Sequence, residues 1–206
     1  VIPAAATNAR RYALPSDHPD LGEGRRRERI GVLLLNLGTP DGTSYWPMRR
    51  YLKEFLSDRR VIDINRALWW VILNGIILQT RPSRSGRAYA EIWNKERDEG
   101  PLKTYTRAQA EALQARFDPV EVVVDWAMRY GNPSTESRLN ALIERGCTRV
   151  LLAPLYPQYS AATTATANDQ AFRALMQARW QPAVRTLPAY HDEPAYIAAL
   201  AASIER

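Results

Sequence analysis

Short apolar runs and longer amphipathic segments alternate along the chain from residue 30 onward. The runs lack the polar alternation of half-exposed strands, which is the pattern of strands buried on both faces of a parallel sheet. We therefore predict buried strands at Ile30 to Leu37 and Val150 to Leu152, a further strand at Val120 to Ala127 and a fourth, short strand at Val184 to Leu187.

Helices are predicted between and after these strands. Ser134 can cap a helix that ends at Gly146, since its hydroxyl accepts a free backbone N–H and glycine suits the far end. The remaining helices are predicted at Met48 to Leu56, Lys103 to Phe117, Thr166 to Arg179 and from His191 to Arg206. This alternation predicts an α/β fold: a Rossmann-like parallel four-stranded sheet with helices on both faces, in the order 2-1-3-4.

A helical insertion, residues 44–117, separates the first two strands. Its segment from Ala67 to Leu78 is apolar nearly all round and contains Trp69 and Trp70. Such a segment is either a buried core helix, an exposed helix at a membrane interface, or the wall of a site for a flat apolar ligand. The residues alone leave all three interpretations open.

A basic stretch, Arg81 to Arg87, follows and is predicted as a loop that leads into a helix from Ala88 to Lys95. Its arginines recur every third residue, so an early helix start would place them on one side. They could hold carboxylates or phosphates by forked hydrogen bonds, or form a solvated basic surface.

Polar motifs follow three of the predicted strands. Gly38 and Thr39 follow the first strand, Arg129 and Tyr130 lie in a loop after the second, and the stretch from Tyr156 to Thr164 follows the third. Open α/β sheets bind ligands at the carboxyl ends of their strands, where the strand order reverses. This convergence favours a binding site over the alternative, in which the third motif is a Pro-rich turn.

Composition narrows the class of protein. The net charge is +6 and the pI about 9.7, but no nucleic-acid-binding motif is visible, so no nucleic-acid partner is expected. The single Cys147 is expected to be a buried apolar residue. Residues 1–29 lack apolar periodicity and are predicted to be a flexible arm. Without a secretory segment or a membrane-spanning run, a cytoplasmic protein is expected.

Three motifs make the chain resemble the ferrochelatases, which insert ferrous iron into a porphyrin during haem synthesis. They are Leu-Asn-Leu-Gly-Thr-Pro at 35–40, Arg-Tyr-Gly-Asn-Pro at 129–133 and Leu-Tyr-Pro-Gln-Tyr-Ser at 155–160. The family fold has two Rossmann-like lobes that face a cleft. The resemblance implies that residues 30–190 form the first lobe and that 191–206 begin the passage to a second lobe.

The resemblance also implies roles for individual residues at the porphyrin cleft. It places Leu37 against the macrocycle, and Arg81 and Tyr89 on the wall near the propionates. It places Arg129 and Tyr130 deep in the cleft. The hydroxyls of Ser160, Thr163 and Thr164 are expected over the floor of the cleft. Trp69 and Trp70 correspond to the lip of the cleft, which touches the membrane in many members, so peripheral contact at the inner membrane is a further expectation.

The chain departs from the family in its chemistry. The catalytic histidine of a Ser-Ala-His-Ser-Leu-Pro segment and its acidic partner do not occur, and His191 is expected to be a surface residue at a helix start. We therefore expect no catalytic residue and no metal ligand within the chain, and no activity from residues 1–206 alone. Ferrous iron is expected as a substrate, and these residues do not support an iron–sulfur cluster.

The expected function is insertion of ferrous iron into protoporphyrin IX, with this chain as the porphyrin-holding half of a ferrochelatase, a lyase. Two alternatives remain open. One is a non-catalytic lobe that binds porphyrin or docks on membranes, and the other is a generic α/β enzyme for an anionic ligand.

Overall fold

Four parallel strands form one sheet in the order β2-β1-β3-β4. The structure is a computed structural model that describes residues 29–205. The strands are β1 Arg29–Thr39, β2 Val122–Gly131, β3 Cys147–Pro154 and β4 Ala183–Thr186. The predicted sheet and strand order are confirmed, which puts the reversal of strand order between β1 and β3. The predicted arm lies outside the described residues apart from Arg29, which opens β1.

Seven α-helices accompany the sheet within the described residues. Four lie between β1 and β2: α1 Tyr45–Ser57, α2 Arg66–Ile72, α3 Leu78–Glu91 and α4 Pro101–Gln114. The others are α5 Thr135–Glu144, α6 Thr166–Gln177 and α7 Pro194–Ile204. Two π-helical turns, Leu73–Ile77 and Ala161–Ala165, lead directly into α3 and α6.

Helices cover both faces of the sheet, as the strand pattern requires. Successive residues of a strand point to opposite faces, so Leu33 and Leu35 of β1 pack with buried side chains of α5 and α6. Leu34, between them, packs on the other face with Trp126 of β2 and Ala110 of α4. Burial on both sides explains why these strands read as continuous apolar runs.

The basic stretch from Arg81 to Arg87 is helical, so its prediction as a loop was wrong. It lies inside α3, which contains Pro82. Proline has no N–H to donate to the carbonyl four residues earlier. That carbonyl belongs to Leu78 and accepts a hydrogen bond from the Tyr45 hydroxyl at 3.0 Å instead. The Tyr45 contact therefore satisfies the group that the proline leaves free.

The prediction that Arg129 and Tyr130 lie in a loop was also wrong, because β2 continues through both. Gly38 of β1 pairs with Tyr130, and the ladder extends one residue further to Gly131. Gly38 has φ +115°, and a Cβ built on it would lie 1.9 Å from the Tyr130 carbonyl oxygen. Because Gly38 allows the two backbones to approach closely, Arg129 and Tyr130 lie on a hydrogen-bonded strand rather than in a loop.

Replacing Gly38 by alanine is expected to lower the free energy of unfolding by about 2–4 kcal/mol, from the positive φ and the backbone clash together. Urea denaturation measures the change. Gly75→Ala is the matched control, since a Cβ at Gly75 meets nothing within 4 Å. The control is expected to be neutral or slightly stabilising, and equal losses in the two variants would contradict the account of Gly38.

Candidate functional site at the end of strand β2

The carboxylate of Asp58, directly after α1, gathers side chains from two other elements. Its Oδ2 accepts hydrogen bonds from Arg129 Nη2 at 2.5 Å, from the Tyr130 hydroxyl at 2.8 Å and from the Thr166 hydroxyl. The Asp58 and Arg129 side chains are only 7% and 6% exposed. Asp58 and Arg129 therefore form a buried ion pair that joins the ends of α1, β2 and the start of α6.

The guanidinium of Arg129 is held by two hydrogen bonds and a longer charge contact within the protein. While Nη2 donates to Asp58, Nε donates to Thr166 Oγ1 at 2.7 Å. The third nitrogen, Nη1, lies 3.8 Å from the Glu54 carboxylate. Its Cζ lies 4.2 Å from the centre of the Tyr130 ring. Arg129 thus orders the end of the strand and does not project a free charge toward a ligand.

The titrating groups of this network shift in ways that follow from their contacts. Burial by itself would raise the pKa of Asp58. Hydrogen bonds from Thr166, the Arg60 amide and Tyr130 lower this pKa, as does the positive charge of Arg129, and together they outweigh the effect of burial. Burial, reinforced by Asp58, raises the pKa of Tyr130 to about 12. At neutral pH the network therefore holds a carboxylate and a protonated phenol.

An apolar wall adjoins the network on the side of α1 and α3. Tyr51 and Phe55 stack with ring centres 6.2 Å apart, and Phe55 meets Tyr130 edge-on at 5.1 Å. Tyr89 of α3 contacts Tyr51 edge-on at 6.4 Å, and Leu37 of β1 packs against the same group. We call Leu37, Tyr51, Phe55, Tyr89 and Tyr130 the aromatic cluster. Leu37, Phe55 and Tyr89 are partly exposed and can offer dispersion contacts to a flat apolar ligand, whereas Tyr51 and Tyr130 are buried in the protein.

A cavity of about 980 Å³ lies between α1 and α6, beside the network. Asp58, Arg129 and Ala161 are among its lining residues. Arg60 and Asp169, which also line it, form a two-pronged salt bridge with N–O distances of 2.6 and 3.0 Å. The volume of this cavity lies at the upper end of the range for small-molecule sites.

Among the three hydroxyls predicted over the floor, only that of Thr164 has no partner within residues 29–205. Ser160 Oγ accepts from the Ala162 amide at 3.3 Å, and the Thr163 hydroxyl lies 3.5 Å from the Ser160 carbonyl, so both serve the helix start. The Thr164 and Tyr156 hydroxyls are buried and have no partner among residues 29–205. Buried polar groups are nearly always paired, so a ligand that reached either hydroxyl would supply its missing hydrogen bond.

The structure brings together most of the predicted site residues but not Arg81. Leu37, Tyr89 and Tyr130 share the aromatic cluster, and Arg129 lines the cavity next to the floor loop. Arg81 is exposed on α3 and lines a separate groove of about 620 Å³ with Ile77, Thr80, Arg84, Ser85 and Ala88.

Sequence reasoning missed Asp58 and Thr166. Asp58 lies just past the predicted helix Met48 to Leu56, and Thr166 begins another, so neither was singled out as a site residue. One signal was available: an arginine next to a buried apolar strand needs an anionic partner. That rule predicts a carboxylate near Arg129 but cannot say which one, because Asp58 lies 71 residues earlier in the chain.

The two lip tryptophans have different environments. Trp69 is partly buried, and its indole N–H donates to the Leu56 carbonyl at 2.7 Å. Trp70 is 67% exposed, and α2 contains no buried residue. The exposed apolar side chains around it are Leu68, Val71 and Ile76. A fully buried core helix is therefore excluded for this segment.

Residues 29–205 lack both a membrane-spanning helix and a cluster of metal-ligating side chains. No helix there is long and apolar enough to cross a bilayer. No group of three or more His, Cys, Asp and Glu side chains in the same residues could hold a metal ion.

Comparison with known proteins gives one consistent family. The family model described as Ferrochelatase matches residues 29–206. The chain is 61% identical to a ferrochelatase of Agrobacterium fabrum over 94% of its own length and 55% of the relative's. The chain is 59% identical to a ferrochelatase of Mesorhizobium japonicum over 96% of its own length and 55% of the relative's. It is 63% identical to a ferrochelatase of Brucella ovis over 86% of its own length and 51% of the relative's. The chain thus spans about half the length of these curated relatives.

Proposed function

Because the chain belongs to the ferrochelatase family, we propose that the whole protein inserts ferrous iron into a porphyrin and that residues 29–205 hold the ring. One arrangement carries this proposal: the aromatic cluster stands next to the buried Asp58–Arg129 network at the carboxyl end of β2. A porphyrin has broad apolar faces, so a wall of rings and Leu37 suits it. The proposed substrates are ferrous iron and a porphyrin such as protoporphyrin IX.

The proposed division of labour follows from the chemistry of insertion. Two pyrrole protons must leave the ring, which needs a base within hydrogen-bond reach of the inner nitrogens. In the described network, Asp58 accepts three side-chain hydrogen bonds and Arg129 is paired with it, so neither is free to act as that base. We therefore assign positioning of the ring to this half, and proton and iron chemistry to residues outside it.

An insertion assay tests this function. The whole protein, supplied anaerobically with ferrous iron and protoporphyrin, is expected to convert the absorbance spectrum of the free porphyrin to that of haem. Residues 1–206 alone are expected to produce no haem above the uncatalysed rate. Failure of the whole protein would overturn the proposed function, and turnover by residues 1–206 would overturn the division of labour.

We also propose that the protein is cytoplasmic and makes peripheral contact with the inner membrane through the exposed face of α2. Trp70 and its apolar neighbours Leu68, Val71 and Ile76 are exposed, and amphipathic rings favour the membrane interface.

Trp70→Ser is expected to weaken flotation of the protein with phospholipid vesicles, because it removes the exposed ring from the interface. Trp69→Ser tests the same chemistry at the partly buried ring that donates to Leu56. It should act mainly on stability, which urea denaturation reports. Unchanged flotation of Trp70→Ser would exclude Trp70 from the contact.

A further inference from the structure

The outward face of α3 is cationic. The helix buries Leu78, Pro82 and Gly86, which recur every four residues and so lie on one face. At 100° per residue, Arg84 and Arg87 point to the opposite side, and both are exposed. Gly86 marks how closely the inner face packs, since a Cβ built there would lie 2.1 Å from the Thr43 carbonyl oxygen. The orientation of the two arginines is therefore fixed by the packing of the helix.

The charges on this face are largely uncompensated. Within residues 29–205, Arg84 and Arg87 take part in no ion pair or side-chain hydrogen bond, in contrast with Arg60, Arg107 and Arg129. Glu91, the last residue of α3, is the only acidic side chain of the helix. Unpaired, exposed arginines are available to an external anion, and guanidinium groups hold phosphates in two-pronged contacts.

The cationic face continues directly from the exposed apolar side chains. The π-helical turn Leu73–Ile77 joins α2 to α3 without an intervening loop, so Ile76 and Arg84 belong to one continuous helical segment. Eight residues separate them, or about 12 Å at the rise of an α-helix. A helix binds at the interface of a charged bilayer when its apolar side chains enter the lipid and neighbouring arginines contact the headgroups.

We propose that this surface selects anionic bilayers, with Arg84 and Arg87 on headgroup phosphates while Trp70 and Ile76 enter the acyl boundary. This inference rests on the proposed membrane contact and adds the chemistry of the lipid. The charge complementarity favours an anionic phospholipid over a zwitterionic one, because each arginine near an anionic surface adds attraction that a neutral surface lacks.

Vesicle flotation of the whole protein tests the proposal, with phosphatidylcholine vesicles and with vesicles that also contain phosphatidylglycerol. The double variant Arg84→Gln/Arg87→Gln is expected to bind the phosphatidylglycerol vesicles about 30-fold more weakly, from ~1 kcal/mol for each arginine. Its binding to phosphatidylcholine should be unchanged. High salt should erase the difference between the variant and the original protein.

Arg179→Gln/Arg185→Gln is the matched control, because it removes the same charge from exposed positions around β4, at the opposite sheet edge from β2. It should retain binding. Equal losses in the two double variants would overturn the proposal in favour of a net-charge effect. Equal binding of the original protein to both vesicle types would overturn anionic selection while leaving membrane contact standing, and absence of binding to either would overturn both. Haem formation in detergent reports the insertion function independently of all three outcomes.

Discussion

Asp58→Ala is expected to lower the free energy of unfolding by about 3–5 kcal/mol, because it leaves the Arg129 guanidinium buried without its anion. Urea denaturation measures the loss. Asp169→Ala is the matched control, since it also removes a carboxylate from an arginine, but in a bridge whose side chains are 41% and 28% exposed. That control is expected to cost no more than about 1 kcal/mol. Similar losses in both variants would contradict the buried-pair account.

A double variant separates the ion pair from other roles of Asp58. If most of the loss is the unpaired Arg129 charge, Arg129→Leu in the Asp58→Ala background should cost much less than the same change in the original protein. Additive losses would show that Asp58 stabilises the fold mainly through Tyr130 and Thr166.

The pH dependence of stability follows from the same carboxylate. Hydrogen bonds and Arg129 lower the pKa of Asp58 in the fold despite its burial. Its stabilisation is therefore fully present above the unfolded value of about 3.9 and is lost as the pH falls through the folded pKa. The original protein should lose stability more steeply in this acid range than Asp58→Asn. Parallel pH profiles would contradict the lowered pKa.

Leu37→Asp is expected to weaken porphyrin binding by about 100-fold or more, because a carboxylate against an apolar ring face loses its hydration without a partner. Absorbance titration with free-base protoporphyrin measures the affinity. Ile30→Asp lies in the same strand at a 39% exposed position and should bind normally. An unfolding midpoint for each variant separates lost contact from lost fold. Equal affinities of the two folded variants would remove Leu37 from the site.

The sheet could be predicted from the sequence because its signal is local. Strands buried on both faces must be apolar at every position, as Leu33, Leu34 and Leu35 are, and such runs need no knowledge of their neighbours. The strand order was predicted by analogy with open parallel sheets that share it. Strand ends were less certain, since the polar Arg129 and Tyr130 interrupt the pattern although the ladder to Gly38 continues.

Helix α3 shows a different limit of sequence reasoning. Pro82 and the arginines around it have the composition of a loop, and the sequence contains no sign that Tyr45 would satisfy the Leu78 carbonyl. The contact joins residues 33 positions apart. Local propensity was therefore outweighed by one tertiary hydrogen bond and by the packing of Gly86 against Thr43.

Some residues of the candidate site could be placed from the sequence, and others could not. The motifs that contain Leu37, Arg129 and Tyr130 could be placed at one sheet edge from topology alone, because carboxyl ends of parallel strands meet there. The partner of Arg129 could not, since Asp58 reaches it only through the packing of α1 on β2. Resemblance placed Arg81 with the ring-holding residues, whereas the structure puts it on the outer groove of α3.

Titration of residues 1–206 with free-base protoporphyrin tests most directly whether this half holds the ring. We expect a saturable, one-to-one change in the porphyrin spectrum that Leu37→Asp weakens and Ile30→Asp leaves intact. A spectrum that does not change, or one that changes equally with both variants, would contradict it.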